Sequence, residues 1–124
     1  MTIRTPLGRV RGHGSAKSGT MHFWHQRLSA LVLLPLTIWF VWAVVSHVGA
    51  PHADVLIFLA QPLNAIGIAM FVIAGLFHML LGVKVVIEDY IHNEGTKVAL
   101  LVLVHFAVLA IAVTCLVSVL RIIV

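Results

Sequence analysis

The residues with most chemistry to offer lie in one stretch, Phe77-His78-Met79-Leu80-Leu81-Gly82-Val83-Lys84-Val85-Val86-Ile87-Glu88-Asp89-Tyr90. A histidine sits inside an apolar run, and an Asp-Tyr pair closes it. On a helix, His78 and Asp89 are about 20° apart around the axis and about 16 Å apart along it. One face therefore presents two chemistries at two depths. A neutral imidazole is a good axial ligand for haem iron. It can also relay a proton, or simply bond a neighbouring helix. The Tyr90 phenol can donate a hydrogen bond to a carbonyl oxygen such as that of a quinone, with Asp89 orienting it or relaying protons. Equally, tyrosine anchors membrane boundaries and an aspartate marks a helix exit.

Other side chains offer less. Arg27 can pair with a carboxylate, including a haem propionate, or snorkel to lipid phosphate. His105 lies in a second apolar run at a depth similar to that of His78, so it is a candidate second axial ligand; a partner subunit is another source. His22 and His25 are too few, with no supporting acid, to make a convincing metal site. His47, His52 and His92 read as ordinary connector residues. Cys115, alone in an apolar run, reads as a small buried hydrophobe, and a single cysteine excludes an intrachain disulfide, a zinc knuckle and two-cysteine haem attachment.

Membrane helices must position these groups. The chain has 124 residues, 61% hydrophobic and 10% charged, whereas a soluble domain carries about 25% charged residues. That balance predicts an all-α integral membrane protein with one domain at residues 21–124 behind a flexible basic cytoplasmic tail, residues 1–20. Three spans are expected at about 28–48, 64–87 and 98–119, each long enough for a hydrocarbon core of about 30 Å. Pro35 predicts a kink in the first. The connector between the first two contains Val55–Ala60, an apolar segment expected to form a short interfacial turn. Gly67, Phe71, Ala74, Gly75, His78, Gly82, Val85 and Asp89 share one stripe of the second span, about 100° wide. Its small residues admit another helix or a flat ring.

Arg4, Arg9, Arg11, Lys17 and Arg27 precede or open the first span, the first connector has no Lys or Arg, and Lys84 and Lys97 flank the second. The positive-inside rule then puts the N-terminus in the cytoplasm and the C-terminus on the opposite side. Beside a membrane span the basic tail sets topology rather than binding nucleic acid. The lipid bilayer is the expected surrounding, and the bacterial cytoplasmic (inner) membrane is expected ahead of the mitochondrial one.

His78 followed by Asp89-Tyr90, with Trp24-His25-Gln26-Arg27-Leu28-Ser29-Ala30 at the entry of the first span, resembles the small hydrophobic membrane-anchor subunit of succinate dehydrogenase, respiratory complex II. Three spans, the basic tail and the length agree with it. The resemblance implies that His78 is one axial ligand of haem b, with the other coming from a larger cytochrome b anchor subunit. It implies that Tyr90 hydrogen-bonds ubiquinone, that Asp89 lies at the same site, and that Arg27 lies near the haem propionates. It leaves His105 a helix-packing role, and it gives Ser29 no quinone role, because the rest of that pocket belongs to the larger anchor and the iron–sulfur subunit. The flavin is on a flavoprotein subunit. The function implied is a non-catalytic anchor through which electrons from succinate oxidation, a tricarboxylic acid cycle step, reach the quinone pool. Two alternatives stand beside it. One is a fumarate reductase anchor running the reverse flow with menaquinone. The other is a small proton-relay transporter subunit, against which stands the lack of an acidic residue within any span.

Overall fold

The first long helix, α1 (Gly19–Ser46), opens on the aromatic and basic cluster around Trp24 and remains one helix through Pro35. The chain then turns at Gly49, whose φ of +79° is a conformation in which a Cβ would be strained. A short helix α2 (His52–Ala60), a long helix α3 (Pro62–Tyr90) and a last long helix α4 (Glu94–Ile123) follow. These features belong to a computed structural model that describes residues 5–7 and 19–123. Most of the expected tail, including Arg4, Arg9, Arg11 and Lys17, lies outside the described residues.

The described elements are all helical. Three of the helices are long and apolar enough to cross a membrane. They contain 28, 29 and 30 residues. At 1.5 Å per residue each is over 40 Å long, about the full bilayer including its headgroup regions. The helices extend past the apolar runs because polar and charged residues at their ends keep helical geometry beyond the hydrocarbon. Ile91 ends α3, and Asn93 starts the next helix: its Oδ1 accepts the Thr96 backbone N–H at 3.0 Å, capping α4.

Helix α3 is the middle of the fold. It packs against α1 on one side and α4 on the other, and α1 and α4 do not meet. Segment 55–60, expected to be a turn, is instead most of α2. Pro51 sets an extended backbone just before it, and Asp54 in the first turn favours the helix N-terminus. Phe58 gives α2 an inward anchor, lying 4.3 Å from the His47 ring and edge-on to Trp42. His47, expected to be an ordinary connector residue, is thus part of the packing, with Nδ1 2.8 Å from the Ala43 carbonyl. At the α2–α3 corner, buried Asn64 donates to the Phe58 carbonyl at 2.8 Å and to Gln61 Oε1 at 3.2 Å.

The small-residue stripe of α3 faces α1. Phe71 stacks on Phe40 with ring centres 4.5 Å apart. The position a Cβ would take at Gly75 is 3.9 Å from Leu33, and at Gly67 it is 2.8 Å from the Trp39 ring. Along this part of the stripe, the small residues admit a helix and its aromatic rings.

Gly67 sets up a first test. Gly67→Ala gains about 1 kcal/mol of helix propensity and loses about 1–3 kcal/mol by overpacking against Trp39, so its net effect runs from none to about 2 kcal/mol of loss. Gly67→Leu has no such compensation and is expected to force α1 and α3 apart. A thermal denaturation series should show a smaller loss of stability for alanine than for leucine. Equal stability of the two variants would contradict the contact.

The interior is thin. Ala43, Ala65, Ile87 and Val108 are the buried apolar residues among those described, and none of the large side chains is fully enclosed. Apolar side chains such as Leu31, Ile38, Ile73, Leu103 and Phe106 lie open on the helix surfaces, where a bilayer or other helices cover them.

Candidate functional site

His78 lies on the α3 face that meets α1, half-buried in the seam between the two helices. Across the seam, Gln26 and Ser29 are one helical turn apart on the same face of α1. Ser29 is buried, and its Oγ is 2.9 Å from His78 Nδ1. The amide nitrogen Gln26 Nε2 is 3.3 Å from His78 Nε2. Both ring nitrogens are therefore engaged by α1.

The hydrogen-bond roles follow from the donor inventory. Ser29 has a single hydroxyl proton, which goes to the Gln26 backbone carbonyl at 3.0 Å. Its oxygen must then accept from His78, which places the ring proton on Nδ1. The other nitrogen, Nε2, carries the lone pair, and an amide N–H from Gln26 meets it, since an amide nitrogen only donates. This neutral tautomer is the one in which Nε2 can ligate a metal.

Two grooves border the seam. One, of about 330 Å³, is mainly apolar and includes His25, Leu28, Ser29, Val32, Ala74 and Phe77 in its wall. The other, of about 380 Å³, is lined by Gly19, His22, Phe23, Gln26, Arg27, Gly82 and Val85. Two of its lining residues carry buried polar atoms with no partner among the described residues, His22 Nε2 and Gln26 Oε1. A buried polar atom without a partner is costly and points to a missing polar group. The absent side chain of Gly82 helps to keep this groove open; a Cβ there would stand 3.7 Å from Gln26 Nε2.

The other sequence candidates separate by place. Arg27 is exposed at the rim of the second groove, its guanidinium 5.2 Å from the Phe23 ring centre. Asp89 and Tyr90 are at the end of α3, about three turns beyond His78. Tyr90 is 75% exposed, and neither its hydroxyl nor the Asp89 carboxylate has a hydrogen-bond partner among the described residues. Nearby Lys84 and Glu88 pair loosely at 3.8 Å on the surface. His105 is not brought to His78. It is exposed on α4, across α3 from α1, and its Nδ1 is 2.6 Å from the Leu101 carbonyl of its own helix. Packing between helices of this chain, the role left to it above, is therefore not where it sits. His25 lies edge-on to Phe77, and no cluster of three or more metal-ligating side chains forms among the described residues. Cys115 is only partly buried.

Gln26 is the side chain whose part in the site was missed; Ser29 was considered only for a quinone role. Both lie in the stretch 24–30 at the entry of the first span, but the expected span boundaries put them shallower than His78, so the pairing had no signal in the sequence.

Comparison with known proteins gives a consistent family. The profile of the family described as "Succinate dehydrogenase/Fumarate reductase transmembrane subunit" matches residues 1–114. Similar curated proteins include the "Succinate dehydrogenase hydrophobic membrane anchor subunit" of Paracoccus denitrificans, 36% identical over 115 residues, which is 91% of this chain and 89% of the relative. The protein of the same description from Rickettsia bellii is 32% identical, covering 88% of each chain. The "Succinate dehydrogenase membrane anchor subunit" of Reclinomonas americana is 33% identical, covering 72% of this chain and 77% of its own. No solved structure matches.

Proposed function

We propose that this chain, which belongs to the succinate dehydrogenase/fumarate reductase transmembrane subunit family, is the small membrane anchor of a succinate dehydrogenase, co-ligating haem b and completing a ubiquinone site. The observation that carries the reading is the state of His78. Its Nδ1 is held by Ser29, and its Nε2 lone pair meets the amide of Gln26, a wall residue of the groove that holds two buried polar atoms unpartnered among the described residues.

The residues present fit a haem. His78 Nε2 would hold the iron, Gln26 would give way to it, and Arg27 at the groove rim would pair with a propionate. His22 offers a buried ring nitrogen to a polar substituent. His105 is not brought to His78, so a second ligand would come from another subunit, for which the family resemblance implies the larger cytochrome b anchor. With both axial positions filled by protein, a haem would supply one-electron transfer rather than oxygen chemistry, because its iron would keep no open position.

Tyr90 serves the other end of α3. Its uncovered phenol donates a hydrogen bond to a quinone carbonyl oxygen at the membrane boundary, and Asp89 lies beside it to orient the phenol or exchange protons with water. The remaining wall comes from the larger anchor and the iron–sulfur subunit, which carries electrons from the flavoprotein subunit. The N-terminus and the α3–α4 connector face the cytoplasm, and the chain resides in the bacterial cytoplasmic membrane.

Fractionation tests the anchoring role. With the chain deleted, succinate oxidation by a soluble artificial acceptor is expected in the soluble fraction and succinate:quinone activity is expected to vanish. Retention of both activities on membranes would refute the anchor assignment.

A further inference from the structure

The bond from Ser29 to His78 has a consequence for the metal ligand itself. A metal-bound histidine is oriented through its other nitrogen, and a hydrogen bond accepted from that N–H strengthens the ring as a donor. In this seam the acceptor is a hydroxyl whose own proton is committed to the Gln26 carbonyl, so its oxygen is directed at Nδ1 by the α1 backbone. Ser29 is buried and cannot readily exchange this bond for water. The amide of Gln26 at Nε2 requires the same tautomer from the opposite side of the ring.

We propose that Ser29 is the positioning residue for His78: it holds the proton on Nδ1, sets the ring orientation and tunes the reduction potential of the group bound at Nε2. This rests on the haem reading above. The N–H to hydroxyl bond increases electron donation from the imidazole and favours the oxidised metal, so its removal raises the potential. Ser29 touches neither metal nor quinone and acts only through His78.

The test uses the purified membrane complex carrying Ser29→Ala, Ser29→Val, Ser29→Thr or His78→Ala. Readouts are the reduced-minus-oxidised haem spectrum, a potentiometric titration and low-temperature EPR of the oxidised haem. Ser29→Ala and Ser29→Val are expected to keep a b-type spectrum while the potential rises and the EPR g-values move. Ser29→Thr, which restores the hydroxyl, is expected to return both to wild type. The proposal is overturned if Ala and Val leave potential and g-values unchanged while His78→Ala destroys the spectrum, or if Thr behaves as Ala does. Failure of Ala and Val to assemble where Thr assembles also overturns it, because the hydroxyl would then be holding helices rather than the ligand. An unaltered haem spectrum in His78→Ala is a different failure, that of the haem reading itself.

Discussion

Tyr90→Phe is expected to lower succinate:quinone activity on the order of 10–100-fold while leaving succinate oxidation by an artificial acceptor intact. The size follows from the loss of one hydrogen bond to a charge-accumulating carbonyl oxygen, about 1.5–3 kcal/mol, with each 1.36 kcal/mol worth about tenfold in rate. The phenol makes no hydrogen bond within the described chain and is 75% exposed. Removing its hydroxyl therefore costs this subunit little stability. Parallel assays of the two activities separate the possibilities. Equal loss of both would mean structural damage, and loss of neither would leave Tyr90 a boundary anchor only.

His78→Ala is expected to have the larger effect on cofactor content. It removes an imidazole in the α1–α3 seam whose bonds to Ser29 and Gln26 orient its Nδ1–H and the lone pair on Nε2. It also leaves the buried Ser29 oxygen without the ring N–H it accepts from, at about 1–3 kcal/mol for the unsatisfied group. Haem stoichiometry per complex is expected to fall at least tenfold, since changes in the groups around a ligand alone cost about 10–100-fold in affinity. If the ring served only to tie α1 to α3, the variant would lose stability while haem stoichiometry stayed near wild type.

Much of this arrangement was legible before any coordinates. Apolar runs long enough to cross a bilayer, closed by charged boundaries, located the three long helices, because a membrane leaves few other solutions to the backbone. Period also placed Gly67, Phe71, Gly75, His78 and Gly82 on one face, and that face does pack as a unit. What covers it was not legible. Spacing within a helix says nothing of the register between helices, so the pairing of His78 with Gln26 and Ser29 emerged only from the seam. The size of α2 was underestimated because a nine-residue apolar helix has the composition of a buried turn, and its anchor, Phe58 against His47 and Trp42, is long-range information. The same limit applies to His105. Depth along the membrane matched it to His78, yet rotation about α4 turns it away.

The reduced-minus-oxidised difference spectrum of the purified complex tests the central claim most directly, recorded for wild type, His78→Ala and His105→Ala. The prediction is a b-type spectrum in wild type and His105→Ala, and its loss or marked shift in His78→Ala. An unchanged b-type spectrum in His78→Ala would contradict the ligand assignment.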